Sequence, residues 1–400
     1  MPEISSRSHD MPESPIRKLV PFAEMAKAKG VHVHHLNIGQ PDIRTPEGVM
    51  EGLRKMDMEV IEYSHSAGFL SYREKLAKYY KRVGADITPE DVMVTTGGSE
   101  ALIFAMQSCF DSGDEVIIPE PFYANYNGFA IQTGVNLVPV TARIEDNYAL
   151  PEVSSFEELI TPSTKGILLC NPANPTGYLY TEKELESLRI LVKKYDLFLI
   201  ADEVYREFCY GDAVPRSCLN LGGIEQNVII IDSVSKRFSM CGARVGCLVT
   251  KNQSILASAL KYGQARLSPP TLGQVAGELA LGTPQAYFDE VNEEYDLRRN
   301  TLVDGLNTIP GVLCPKPKGA FYCMARLPVE DSEDFCRWIL EQFQYSGATV
   351  MMAPAAGFYA TAGKGKDEVR LAYVLSIESL KDSVEIIRHA LQAYPGKKNQ

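Results

Sequence analysis

Lys236 stands where an amine can do chemistry. It follows an apolar run, Val228–Asp232, that reads as a buried strand, and it lies between Ser233 and Arg244. An apolar segment on one side and the cations Arg237 and Arg244 on the other favour a neutral amine, the form that attacks a carbonyl. Ser233, Ser235 and Arg244 add hydroxyl and guanidinium donors suited to a phosphate dianion. Taken alone, the segment reads equally well as a surface loop with an ordinary lysine, because a Ser-x-x-Lys spacing is short and common.

Other segments repeat the pattern of a reactive group just past a strand. Asn171 and Asn174 each precede a proline, and Gly177 closes the stretch. Two Asn-Pro steps make a rigid turn that can aim the Asn174 amide. Asp202 ends the run Leu197–Ala201. A carboxylate at a buried strand end is costly unless a cation faces it, although a helix N-cap would also explain it. Thr95 through Ser99 reads as a strand, a Gly97-Gly98 turn and a helix start, where free N–H groups and the helix dipole attract an anion. The spacing is neither GxGxxG nor GxxxxGK[ST], so dinucleotide and P-loop readings are weak. Arg370 lies in an apolar stretch near the other end, and its planar fork suits a carboxylate.

These residues need a scaffold, and the alternation of the chain predicts one. Val92–Thr96, Glu115–Ile118, Gly166–Cys170, Leu197–Ala201, Val228–Asp232 and Cys247–Thr250 read as short buried strands. Ser99–Phe110 and Glu182–Tyr195 read as helices, and Ile16–Lys29 as a short one ended by Gly30. Strands alternating with helices predict an α/β fold, a mainly parallel sheet covered on both faces. Sites in such sheets form beyond the carboxyl ends of strands, where these residues fall. After about residue 285 a long charged helix to about Thr308 precedes an α+β stretch with strands Phe321–Leu327 and Val369–Tyr373. This predicts a large domain over 46–284 and a smaller α+β domain from 1–45 and 285–400. The first 14 residues and the terminal PGKKNQ read as loose.

A net charge of −11 over 400 residues argues against a nucleic-acid partner. The N-terminus has no apolar signal core, and no run approaches the roughly 20 apolar residues of a membrane helix. Nine cysteines without a CxxC pair read as reduced thiols. A soluble, cytoplasmic protein is the expectation. His32, His34 and His35 lack acidic or cysteine partners at ligand spacing, so no metal is expected.

Together these motifs resemble the fold type I (class I) pyridoxal-phosphate-dependent aminotransferases, the family of aspartate aminotransferase, from about Gly39 to about Tyr373. The resemblance implies that Lys236 is the Schiff-base lysine, that Arg244 and Ser233 hold the phosphate, and that Gly98, Ser99 and Glu100 surround it. It implies that Asp202 faces the pyridinium nitrogen, that Asn174 and Tyr205 meet the phenolate oxygen, and that Tyr123 stacks on the ring. It further implies that Tyr63 reaches the phosphate of a neighbouring subunit, hence a homodimer. Gly39 and Arg370 would meet the substrate α-carboxylate, beside Tyr123 and Asn174. The expected reaction moves an amino group between an L-amino acid and a 2-oxo acid, with aspartate and 2-oxoglutarate as the preferred pair. A distal carboxylate then needs a second cation, and Arg44 and Arg266 are the candidates, each of which would serve equally as a surface ion pair. The same cofactor kit would serve an aromatic or alanine-type aminotransferase or a C–S β-lyase.

Overall fold

The computed structural model describes residues 2–398. Among them the strands are β1 (His32–His35), β2 (Val92–Thr95), β3 (Glu115–Glu120), β4 (Asn136–Thr141), β5 (Thr164–Cys170), β6 (Phe198–Asp202), β7 (Val228–Ser233), β8 (Gly246–Val249), β9 (Tyr322–Arg326), β10 (Ala348–Met351), β11 (Ala353–Pro354) and β12 (Glu368–Ala372). Seven form one sheet in the order β2-β8-β7-β6-β5-β3-β4. β3 through β7 pair in parallel, and β8 alone runs antiparallel to both its neighbours. The mainly parallel α/β reading therefore holds. Two smaller sheets, β1-β10 and β11-β12-β9, belong to a smaller domain built from the chain's two ends.

The sheet core is apolar on both faces. Leu199, Ile200, Ala201, Ile229, Ile230 and Ile231 are wholly buried, as expected for strands covered by helices. Helix Glu182–Tyr195 has the predicted bounds for clear local reasons. Thr181 and Glu184 form a reciprocal capping box, and Asp196 ends the helix in the left-handed region at φ 51°. Its buried face is Leu185, Leu188, Leu191 and Val192, at helical spacing.

Strand polarity decides what gathers at one edge. β2, β3, β5, β6 and β7 all end there, which delivers Gly97, Tyr123, Asn174, Asp202 and Lys236. Because β8 runs the opposite way, its first residue reaches the same edge. Gly246 pairs with Thr95 on one side and Ser233 on the other, so Arg244 lands beside both. A Cβ on Gly246 would meet Asp232 O, Gly97 C and Gly98 N at 2.6–2.8 Å, so only glycine fits.

Both chain ends depart from the loose segments predicted for them. Ser6–Asp10 forms a short exposed helix, and Ser14, Ile16 and Arg17 line the cleft described below. The helix predicted from Ile16 starts instead at Val20, after a turn. At the other end Lys397 bridges to Val329 and the Lys398 N–H donates to Pro328 O, while residues 399–400 lie outside the described residues. Backbone pairing holds this tail although its composition is polar. No helix among the described residues is long and apolar enough to cross a membrane.

Candidate active site

A cleft of about 370 Å³ opens at that edge, lined by Gly39, Gly98, Ser99, Tyr123, Asn174, Asp202, Tyr205, Ser233, Lys236, Arg244 and Arg370 among others. Eleven residues singled out from the sequence thus converge across more than 300 positions of chain. Four do not enter the cleft. Glu100 turns back to cap its own helix, accepting from the Thr96 N–H at 2.8 Å and pairing with Arg266 at 3.3 Å. Arg266 is engaged there and also donates to Val94 O, so its charge is already matched. Arg44 is exposed outside the cleft, and its carbonyl accepts from Tyr287. Tyr63 is 79% exposed. The expectation that Arg44 or Arg266 reads a distal carboxylate finds no support in where this chain places them.

The Lys236 amine reaches across to donate to Gly39 O at 2.8 Å. Gly39 itself is pressed against Tyr322, whose hydroxyl a Cβ there would overlap. The turn carrying Lys236 is held from beneath by a buried ionic cluster. Asp232 accepts both oxygens' worth of bonds from Arg237 at 2.8 Å, one from Arg206 at 3.3 Å and one from the Tyr80 hydroxyl at 2.8 Å. Burial pushes the Asp232 carboxyl up, but the Arg237 and Arg206 guanidiniums outweigh it and hold it below its ordinary value.

Asp202 is the opposite case. It is equally buried at the end of the neighbouring strand, yet it has no ion pair with any described residue. Burial pushes its carboxyl up to about 6, against the opposing hydrogen bonds from the Tyr126 hydroxyl at 2.7 Å and the Val204 N–H. Of these two buried carboxylates on adjacent strands, Asp232 has cationic partners and Asp202 has none among the described residues. The open side of Asp202 faces the cleft.

The phosphate-type donors stand on the other side of Lys236. Gly97 has φ +77°, and a Cβ there would come within 2.6 Å of the Arg244 guanidinium. Arg244 donates to Cys241 O and Thr96 O, next to the first N–H groups of helix Gly97–Cys109. The Ser233 hydroxyl donates to Val245 O and bonds the Ser235 hydroxyl at 2.8 Å. Guanidinium, hydroxyls and helix N-terminus converge as an anion cradle requires.

Arg370 is 1% exposed and faces the same space. It donates to Asn174 Oδ1 at 3.1 Å and Asn37 O at 2.5 Å, and its guanidinium lies over the Tyr322 and Phe358 rings. Its Nε has no partner. Asn174 also donates to the Tyr205 hydroxyl at 3.3 Å, which bonds that of Tyr322 at 3.1 Å. Tyr126 and Tyr322 had no role in the sequence reading. Tyr126 lies three residues past Tyr123, in the first turn of helix Asn125–Thr133, which begins after Tyr123. Tyr322 is one more aromatic on a buried strand, and only tertiary packing brings it here.

The class I and II aminotransferase family matches residues 31–385. The aspartate aminotransferase of Geobacillus stearothermophilus is 31% identical over 382 residues, covering 93% of this chain and 94% of the relative. The aromatic-amino-acid aminotransferase 2 of Thermococcus litoralis is 30% identical, covering 97% and 98%. The solved aspartate aminotransferase from Thermus thermophilus with maleate superposes at TM-score 0.88 and 30% identity, over 98% of this chain and 100% of that one. With its cleft at the strand ends and its match along nearly the whole length, the chain belongs to the class I and II aminotransferases.

Proposed function

We propose that the cleft holds pyridoxal 5'-phosphate and that the chain uses it to exchange the amino group of aspartate with 2-oxoglutarate. The single observation that carries the cofactor reading is Asp202, a buried carboxylate that lines the cleft without an ion pair to any described residue, its carboxyl pushed up to about 6 by burial. A protonated pyridinium nitrogen is a cation of the right kind, on the open side. The phosphate fits the cradle of Gly98, Ser99, Ser233 and Arg244. Tyr205 and Asn174 present adjacent polar atoms for the phenolate oxygen, and Tyr123 offers a ring face. The bound cofactor supplies an electron sink for a carbanion at the substrate α-carbon.

The chain's own residues do the rest. Lys236 supplies the amine that holds the cofactor aldehyde and, once free, takes the α-proton as general base. Gly39 O keeps that amine pointed into the cleft. Arg370 grips the substrate α-carboxylate with a guanidinium already fixed by Asn174 and Asn37 O, so little ordering is left for the substrate to impose. Aspartate as donor is supported by the likeness to the Geobacillus and Thermus aspartate aminotransferases, the latter solved with the dicarboxylate maleate. Mixing the purified protein with single amino acids and following the cofactor's visible absorbance tests this directly. Aspartate and glutamate should bleach the band fastest; fastest bleaching by phenylalanine or alanine would displace the aspartate reading.

The active unit is a homodimer. Val60, Ile61, Tyr63, Leu267 and Leu272 are each about half or more exposed, an unusual apolar group for a monomer surface. The two stretches are neighbours, since Ser66 donates to Leu267 O and Thr271 to Glu62 O. A second copy covering them would bring Tyr63 toward the partner's phosphate. Sedimentation at micromolar concentration should give a dimer. Tyr63→Phe should weaken cofactor affinity about tenfold, as one charge-assisted hydrogen bond is lost. An unchanged affinity would remove Tyr63 from the site. We place the enzyme in the cytoplasm, with domains dividing near residues 45 and 285.

A further inference from the structure

Four cations line the cleft, and three are engaged. Lys236 rests on Gly39 O, Arg244 on Cys241 O and Thr96 O, and Arg370 on Asn174 and Asn37 O. The fourth is Arg17. Its guanidinium has no hydrogen bond or ion pair with any described residue. Its backbone, by contrast, is held on both sides. Pro15 packs on Gly357 so closely that a Cβ there would lie 2.6 Å from it. Ile16 O accepts from the Asn37 side chain at 2.8 Å, Lys18 pairs with Glu333 at 2.5 Å, and Leu19 is buried.

Asn37 links this segment to the α-carboxylate site. It is fully buried; its side-chain amide fixes the residue before Arg17, and its carbonyl accepts from Arg370. Tyr123 reports where the two charges lie. Burial raises its phenol to about 12, and the guanidiniums of Arg370 and Arg17 both work against that rise. Tyr123 and both guanidiniums line one cleft, Arg370 buried and hydrogen-bonded, Arg17 exposed and unmatched among the described residues. A substrate bearing two carboxylates could meet both, while a monocarboxylate would leave Arg17 in water.

We propose that Arg17 is a specificity-determining residue that binds the distal carboxylate of a dicarboxylic amino acid or 2-oxo acid while Arg370 takes the α-carboxylate. The proposal rests on the aminotransferase reading of the cleft and replaces Arg44 and Arg266 in the role expected of them. It explains how one site admits a second charge without a second buried cation, whose desolvation would be costly in a protein lacking substrate.

The test compares the wild-type enzyme with Arg17→Gln and Arg17→Lys, the cofactor present throughout. The ratio of kcat/KM for aspartate to that for alanine should fall about 10- to 150-fold in Arg17→Gln, the equivalent of one charge-assisted hydrogen bond. The fall should appear mainly in KM, and Arg17→Lys should recover part of it. Inhibition by succinate should weaken by a similar factor, and inhibition by propionate much less. A ratio that stays at the wild-type value, or equal losses for succinate and propionate, would overturn the proposal. If the wild type turns over alanine but not aspartate, the aspartate reading falls by itself, and the succinate–propionate comparison still decides the role of Arg17.

Discussion

Lys236→Ala is expected to lower transamination by about four orders of magnitude or more while leaving the protein folded. Two losses combine: the amine that holds the cofactor and the general base for the α-proton, the latter alone contributing about 100- to 10,000-fold. The fold should tolerate the change because Lys236 contributes little to it. The side chain is only partly buried, its amine makes one good hydrogen bond, to Gly39 O, and Phe321 lies 5.9 Å away. Losing one such bond costs about 1 kcal/mol. The turn is instead secured by Arg237, whose guanidinium remains locked on Asp232. Mass spectrometry after borohydride reduction supplies a readout independent of rate. The wild type should carry a pyridoxyl group on Lys236, and the variant should carry none there. Retained turnover, or a pyridoxyl adduct found only on another lysine, would refute the assignment.

Much of this site could be read from the chain because its residues follow strands directly. Asn174, Asp202 and Lys236 each stand within a few residues of an apolar run, and a parallel sheet brings such positions to one edge whatever its strand order. Arg244 was legible for a different reason: it precedes a strand, and it arrives at the edge only because β8 is reversed. Helix Glu182–Tyr195 matched its predicted bounds because its capping box is written locally. Strand β4 and the small-domain strand β10 went unread. β4 contains Pro139 and is half exposed, so its apolar pattern is weak. Arg17 was hidden most completely. The sequence places it in the first turn of a helix from Ile16, whereas the helix starts at Val20, and the contacts that fix the segment, with Asn37, Glu333 and Gly357, are tertiary. Arg44 and Arg266 drew attention by proximity in sequence to known motifs, which says nothing about where a side chain ends. For Arg266 the nearer partner was Glu100, an acid in the helix start itself.

Asp202→Asn should trade function for stability. With the cofactor supplied, activity is expected to fall about 100- to 1000-fold, because the amide cannot stabilise a protonated pyridinium nitrogen. Without the cofactor the same variant should be the more stable protein. Burial raises the Asp202 carboxyl from its ordinary 3.8 to about 6, so the folded state disfavours the charged form. The direction follows from proton binding: between these values the folded protein holds the proton that the unfolded chain has released. Stability from this group is therefore fully present below about 3.8, is lost as pH rises through about 6, and stays lost above. At neutral pH the penalty is on the order of 2–3 kcal/mol. Asparagine has no charge to desolvate, and its carbonyl can still accept from Tyr126. Urea unfolding of cofactor-free protein should show the two variants converging near pH 4 and separating toward pH 7, with the asparagine form ahead. Adding pyridoxal phosphate should stabilise the wild type more, since only the carboxylate gains an ion pair. A wild type that matches or exceeds the variant at pH 7 without cofactor would mean that Asp202 already has a partner in the protein. The case for a cation in the cleft would then fail.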